Sequence, residues 1–489
     1  SVVYHDNSRH DFEYTATPVN GRYLLKTVRD ALGNVLETHE YNSNGRATTS
    51  EVANGVEKYT FDYTNPAMTV VTDAAGVITK FYFNAGSGRN VVSKVEGVCG
   101  CGGSGNESTQ YFYDDRLNLV KKTDALNRET VYTYDSYRNV TAVTDILGTQ
   151  SFTYNSLGEV LTATDRMGGV TTNTYSSTGN LLTTKDPLNN TTTFTYNSLG
   201  QPSTVKDALD RVTTLTWDSQ GRMTKVKDAN NKETNFAYDA RARITGVTNA
   251  KAETTSFNYD LNNRLNKITY PDTTFTSVTY DLAGRRTAVT DPLGHATTYG
   301  YDGAYRMISV TDALNHSTSF VYDLMSNMVS QTDALGNVTD FEYDDFNRLK
   351  QVKYPFPVAG GTRLEENFTY DLVGRPKTHI DTAGITTTYV YDDPNKEISI
   401  TDPMSQVTQF EYNARSQVTK VKDALNQEYL FTFDPLGRKL TETRAGTTMS
   451  FEYDAVGNRK KRTDHAGRIS QYTYDNLNRL TKIDYGTNP

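Results

Sequence analysis

At 489 residues the chain is long enough for about three ordinary domains, but only 36% of it is hydrophobic, too little for compact globules of that size. Its 50 Lys and Arg against 58 Asp and Glu leave a net charge of −8 with no basic block, which argues against a nucleic-acid partner. No apolar run reaches the roughly 18 residues of a membrane-spanning helix, so no membrane span is expected.

The chain opens Ser1-Val2-Val3-Tyr4 with no initiating Met, charged leader or apolar leader core, and it reads as a mature or excised segment. Its first part carries loose copies of one unit, marked by Tyr14, Tyr41, Tyr63 and Phe83. From Tyr113 an aromatic followed by Asp, Asn or Ser recurs almost strictly every 21 residues, through Tyr134, Tyr154, Tyr175, Tyr196, Trp217, Tyr238, Tyr259, Tyr280, Tyr301 and Tyr322 to Tyr343. After a longer step the register resumes at Tyr370, Tyr391, Tyr412, Phe433, Tyr453 and Tyr474, giving about 22 copies. The organisation expected is 1–112, looser repeats with a Gly- and Cys-rich insertion near 97–105; 113–343, a regular array; and 344–489, repeats resuming after an insertion near 354–362.

One copy, Val278 to Asp302, shows the grammar. An apolar residue two before the key aromatic (Phe152, Phe194, Leu215, Phe257, Val278) places both on one face of a strand, with Thr on the other. Four residues after the aromatic stands Gly or Asn (Gly158, Gly179, Gly221, Asn263, Gly284, Asn347), as a tight turn needing positive φ demands. A second turn reads Asp-Ala-Leu-Gly or nearly so, as at Asp333 to Gly336, where the Asp can bond backbone two residues on. Two short strands and two turns fill each 21-residue unit, and no 3.6-residue pattern lasts long enough for a helix. The fold class expected is therefore all-β: a meander of roughly 44 antiparallel strands in one continuous sheet. Laid flat it would run on the order of 200 Å, too many strands to stay open, so it should coil into a spiral shell or tube. Three stretches break the register: Asn84 to Gln110, the second turn at Tyr270-Pro271-Asp272, expected shortened or remade, and Tyr354 to Thr362. Irregular loops of that kind are where specific contacts concentrate.

The core Tyr280-Asp281-Leu282-Ala283-Gly284-Arg285, with Tyr370-Asp371-Leu372-Val373-Gly374-Arg375 and Trp217-Asp218-Ser219-Gln220-Gly221-Arg222, resembles the YD repeat of the Rhs family over essentially the whole chain. The resemblance implies the β-sheet spiral shell shared by Rhs proteins, Tc-toxin components and teneurins. In bacterial members that shell commonly surrounds a toxin; in teneurins it is an extracellular adhesion module. The self-cleavage motif of toxin-releasing members, Asp-Pro-x-Gly-Leu-like, is not matched. Asp434-Pro435-Leu436-Gly437 is followed by Arg438 and Asp291-Pro292-Leu293-Gly294 stands mid-array, so both read as ordinary turns and no protease residues carry over.

No catalytic, cofactor or metal site is expected. The repeated Asp after each aromatic reads as a turn cap rather than a Ca²⁺ ladder, since no EF-hand spacing exists, and stacked Tyr reads as packing rather than a sugar platform. The seven histidines lie scattered in different copies. Cys99 and Cys101, in Val98-Cys99-Gly100-Cys101-Gly102-Gly103-Ser104, are the only cysteines. A reduced loop, a local disulfide, a crosslink to another chain and half a metal site all stay open for them. The expected function is a non-enzymatic structural wall of a secreted or cell-surface bacterial Rhs-type protein, forming a hollow shell around a polypeptide cargo. The alternative is an extracellular filament or an adhesion module for cell-surface glycans, self-associating through the same repeats.

Overall fold

A computed structural model of the chain describes residues 2–3, 9–53, 55–86, 89–97, 108–357 and 361–486. Forty-five β-strands and no helix are found among them. Every described pairing is antiparallel and joins a strand to its neighbour in sequence, as for Thr254–Tyr259 with Leu265–Thr269 and Leu265–Thr269 with Phe275–Tyr280. The 21-residue period is thus a pair of hairpins: strand Phe275–Tyr280, turn, strand Arg286–Thr290, turn, then Ala296–Tyr301.

Both turns use the same device. At 281–285, Asp281 N–H donates to Arg285 O (2.9 Å) and Gly284 N–H to Asp281 O (3.0 Å), with Gly284 at φ +85°. At 291–295 the same pair of bonds forms and Gly294 sits at φ +87°. This is the three-residue hairpin loop ending in a left-handed residue, which is why Gly or Asn holds the place. Around Tyr270 the turn is not shortened. Tyr270 replaces the first Asp, the backbone bonds persist, and Asp272 takes over the capping by accepting from Thr274 N–H (3.0 Å) and its hydroxyl (2.7 Å).

The two hairpins of a repeat differ in register. Across the turn that follows the key aromatic, Thr279 faces Ala288 but Tyr280 faces Arg286, so Thr287 is an extra residue. The same bulge recurs just before the key aromatic along the array, for example at Asn258/Tyr259, Gly300/Tyr301 and Val321/Tyr322. Across the other turn the ladder is unbroken. Bulges bend and twist the strand that carries them, so bends of one sense accumulate once per repeat along the same side of the strip.

Few residues are buried. Val28, Ala53, Val56, Val95 and Val352 are the only hydrophobic side chains fully inside among the described residues, and most strand positions are half-buried. The accessible surface is 28052 Å², against roughly 18,000 Å² for a compact protein of this mass. One sheet layer, with cross-strand contacts on each face in place of a thick core, accounts for both the low hydrophobic content and the high surface.

Two register breaks gain a description. Part of the first is strand: Ile78–Gly86 and Arg89–Gly97 form a long hairpin, Thr79 facing Gly97. The base of the 354–362 insertion is pinned by Arg363, whose guanidinium donates to Tyr354 O (2.6 Å) and Val338 O (2.9 Å) and pairs with Asp340.

The chain forms two compact units. One comprises Ser1–Leu117, Lys122–Asn127 and Thr255–Thr387; the other comprises Asn118–Lys121, Arg128–Thr254 and Thr388–Pro489.

Candidate functional site

The repeat motif builds a ladder along one edge of the strip. Asp281 Oδ1 accepts from Arg285 N–H (2.8 Å) and Oδ2 from Arg285 Nε (2.7 Å), so one carboxylate closes the turn and fixes the arginine. The arginine then reaches forward: its Nη1 donates to Asp302 O of the next repeat (2.9 Å) and its guanidinium lies 5.3 Å from the Tyr301 ring centre. The tyrosine reaches back, Tyr280 donating to Leu265 O (2.8 Å) of the repeat before it, while Arg264 covers its ring at 4.8 Å. Tyr322 to Met307 O (2.9 Å) with Arg306 over its ring (5.1 Å), and Tyr238 to Met223 O (2.8 Å) with Arg222 (5.0 Å), repeat the pattern. Trp217 keeps it with an indole N–H to Pro202 O (2.7 Å), which explains how the chain's only Trp fits a Tyr position. Each repeat is thereby tied to both neighbours by groups other than the strand ladder, and cation–π contacts of this kind add about 0.5–1 kcal/mol each where partly exposed.

The Asp reading as a turn cap agrees with this geometry, because these carboxylates accept from their own turns. Backbone and side-chain donation by Arg222 holds the Asp218 carboxyl below the usual range, and Arg243 does the same for Asp239. The i+4 arginine pairing was missed from the sequence, although Arg directly after Gly in copy after copy was its signal. No group of three or more His, Cys, Asp or Glu able to hold a metal occurs among the described residues. His295 and His316 sit in turns and pair with Asp291 and Asp312 at 3.0 Å. His379 lies on a strand, stacked on Phe368 at 4.7 Å. Cys99 and Cys101 lie outside the described residues.

A second set of contacts links the two edges of the strip. Call the edge carrying the Tyr-Asp turns the YD edge and the one carrying the Asp-Ala-Leu-Gly turns the opposite edge. In the first unit, the Tyr305 hydroxyl on the YD edge donates to Asp30 Oδ2 on the opposite edge (2.9 Å), 275 residues away. Glu57 N–H donates to Leu324 O (2.7 Å) nearby. In the second unit, Arg415 on the YD edge pairs with Asp165 on the opposite edge, its Nε at 3.0 Å, 250 residues apart. Arg128 to Asp393 (3.2 Å), Lys396 to Leu147 O (3.4 Å) and Arg211 to Asp475 O (3.5 Å) belong to the same seam, at separations of 249 to 265 residues. In each of these side-chain contacts the YD edge of a later segment meets the opposite edge of an earlier one, roughly twelve to thirteen repeats back.

The seam residues depart from the repeat. Tyr305 occupies the left-handed turn position that Gly holds at 284, at φ +66°, a strained setting for a bulky residue. Asp30, 1% exposed, also accepts from the backbone of Leu32 (2.9 Å) and Asn34 (2.8 Å) and from the Asn34 amide (2.9 Å). Burial pushes the Asp30 carboxyl up, but Asn34, Tyr305 and the turn backbone together hold it below the usual range. Burial, then the hydrogen bond to Asp30 and the Asp30 charge, push the Tyr305 hydroxyl well above the ordinary phenol. In the second unit the fifth residue of the 165–169 turn is Gly169, where the other five-residue turns of this edge carry a side chain. A Cβ there would lie 2.7 Å from both Arg415 Nη2 and Asp165 Oδ2. Burial raises the Asp165 carboxyl, but Arg415 and the backbone of Met167 and Gly169 bring it below the usual range. Beside this pair a cleft of about 410 Å³ runs between 167–172, 185–189 and Phe433-Asp434-Pro435.

The sequence matches the Teneurin YD-shell family over residues 168–296. It matches the RHS Repeat over 113–150, 280–317, 322–358 and 453–488. The chain is a YD-repeat array. No curated protein is a significant match to it. Among solved structures, the YD-repeat array is similar to a chain of the Tc holotoxin pore of Photorhabdus luminescens, with TM-score 0.67 and 17% identity over 90% of this chain and 26% of that one. It is also similar to TcdB2-TccC3 without its hypervariable C-terminal region (TM-score 0.62, 15% identity, 93% of this chain and 31% of that one). The array thus spans 26 to 31% of the length of these neighbours, and the likeness is one of fold.

Proposed function

We propose that this YD-repeat array is a non-enzymatic structural wall of a secreted or surface-exposed bacterial Rhs-type protein, and that the wall encloses a compartment holding a polypeptide. The observation that supports the reading best is the seam. In each unit the YD edge of a later segment lies on the opposite edge of a segment 249 to 275 residues earlier. At two strands per repeat and about 4.8 Å per strand, the path between such contacts has a contour on the order of 120 Å, long enough to pass around a folded domain. The repeated functional groups point the same way: Asp, Arg and Tyr are spent on turns and on neighbouring repeats. Similarity to chains of Tc toxin assemblies, one of them solved without its hypervariable C-terminal region, supports both the enclosure and the extracellular setting. A crosslink through Cys99 and Cys101 would instead favour the alternative, an extracellular filament of the same repeats.

The test is electron cryo-microscopy of the protein in its natural full-length form, paired with protease digestion. A hollow particle is expected, with an internal polypeptide that resists protease until the wall is denatured. Flat or solid particles, with every segment digested at one rate, would overturn the enclosure.

A further inference from the structure

The two seams are closed by different kinds of contact. In the first unit the Glu57 N–H donates to Leu324 O (2.7 Å), a bond between uncharged backbone groups. Val28, two residues before Asp30, and Ala53 and Val56, beside Glu57, are among the few fully buried hydrophobic side chains. The second unit has no fully buried hydrophobic side chain among the described residues. Its seam is bridged by cations: Arg128 to Asp393 (3.2 Å), Arg415 to Asp165 (Nε at 3.0 Å) and Lys396 to Leu147 O (3.4 Å). Around the 186–190 turn the same seam holds two clefts, about 410 Å³ toward the 165–169 turn and about 470 Å³ toward the 207–211 turn. Arg415 itself stands at the third turn position, which Leu436, Val456 and Leu477 hold in the turns that follow.

We propose that the second seam is a gate operated by ionic strength: competing ions part it as a unit while the first seam stays closed. The four side chains of its two ion pairs keep 18–31% of their surface exposed, within reach of solvent ions that screen them. An ion that takes Arg128, Lys396 or Arg415 from its partner leaves no buried apolar contact to hold the edges together. The three bridges are also neighbours. Arg128, Leu147 and Asp165 stand on consecutive turns of the opposite edge, and Asp393, Lys396 and Arg415 on two consecutive turns of the YD edge. They therefore part along one line. In the first seam the backbone bond has no charge to screen, and Asp30, 1% exposed, lies beyond the reach of salt. Where the wall encloses a polypeptide, as proposed above, this line is its exit; the parting itself does not depend on that reading.

The test is double electron–electron resonance between spin labels in the 489-residue chain, with Cys99→Ser and Cys101→Ser to remove its only native cysteines. One label pair, Asn189→Cys with Pro435→Cys, spans the smaller cleft of the second seam. The other, Leu32→Cys with Gly303→Cys, lies on the two turns that Asp30 and Tyr305 join, where a Cβ at 303 meets nothing. From about 0.15 to about 1 M NaCl the screening length falls from about 8 to about 3 Å. Over that range the second-seam distance should lengthen, and it should return on dilution, while the first-seam distance stays fixed. Arg415→Ala should move the midpoint to several-fold lower salt. Hydrogen exchange of the unlabelled wild type should lose protection over the same range at the Asn413–Gln417 turn and keep it at Asp302–Arg306. That reading decides alone if circular dichroism shows a labelled variant misfolded. A second seam that stays fixed throughout, or two seams that part together, would overturn the gate and leave the enclosure standing.

Discussion

The seams of the two units solve one geometric problem with different chemistry. In the first unit a neutral hydroxyl, Tyr305, meets a carboxylate that is almost wholly buried, Asp30. In the second an arginine meets a carboxylate at a partly exposed site beside an open cleft, and a missing side chain, Gly169, makes the room. A buried carboxylate is tolerated only if hydrogen bonds replace its water, and Asp30 has four such donors. A solvent-touched ion pair gains less, because water and salt screen it. The first seam should therefore be strong and insensitive to salt, the second weaker and salt-sensitive.

The largest effect should come from Asp30→Ala. It removes two turn-closing backbone bonds and the Asn34 amide bond, and it strands the Tyr305 hydroxyl. A loss of about 3 kcal/mol or more is expected. Repeat arrays unfold in parts rather than all at once, so the measurement is hydrogen exchange of strands Leu25–Arg29 and Met307–Thr311. Protection that matches wild type there would show that Asp30 does not hold the seam. Tyr305→Phe keeps the strained turn and the ring but deletes one donor to a buried charge, for about 2 kcal/mol. A double-mutant cycle with Asp30→Asn should show strong coupling between the two.

Acid acts on both seams. Asp30 and Asp165 each have folded carboxyls lowered from the ordinary value, so each contributes stability that is present above about pH 4 and lost as pH falls through the folded value. Base tests only the first seam. The raised Tyr305 hydroxyl contributes stability fully present below about pH 10 and lost as pH rises through its higher folded value. Ultraviolet titration should place Tyr305 among the late-ionising tyrosines, a set that burial extends to Tyr343, Tyr370 and Tyr412, and Tyr305→Phe should remove one late-ionising group. At neutral pH, Arg415→Ala should cost about 1 kcal/mol, and salt at about 1 M should reproduce most of that loss in the wild type. Protection of strand Val160–Thr164 reports it, and equal salt sensitivity in the first unit would erase the contrast.

Much of this was legible in the sequence and the seam was not, for a physical reason. Strands, turns and positive-φ sites are local, so Tyr280, Asp281 and Gly284 announce them within one repeat. The seam joins residues 249 to 275 apart, and a periodic sequence gives no clue to which repeats meet. What it does give is exceptions. Tyr305, where the turn favours Gly or Asn, and Gly169, where the other turns of that edge carry a side chain, are odd within their own copies. Both turned out to be seam residues. The loops singled out as irregular in length, such as 354–362, contribute instead to pinning within neighbouring strands, as Arg363 does.

Gly169 offers the finest test, because there the repeat and the seam compete for one carboxylate. In ordinary turns the fifth residue donates to the first, as Asn190 does to Asp186 and Asn337 to Asp333, both through the side-chain amide at 2.8–2.9 Å. Gly169 has no such group, so Asp165 Oδ2 is left for Arg415. Restoring the repeat with Gly169→Asn would place a Cβ 2.7 Å from both the Arg415 guanidinium and Asp165 Oδ2, so the carboxylate must rotate away, as in the Asn190 turn, to accept from the new amide. The backbone at 169 is not in the left-handed region, so Asn meets no conformational penalty there. The hairpin should be as stable as before, with net change within about 1 kcal/mol, since one hydrogen bond replaces another. Exchange protection should hold across Val160–Thr164 and Val170–Tyr175 but fall at the Asn413–Gln417 turn, where Arg415 has lost its partner. Loss of protection in the hairpin itself would mean that Gly169 serves the turn's backbone, and that the freed carboxylate is incidental to the seam.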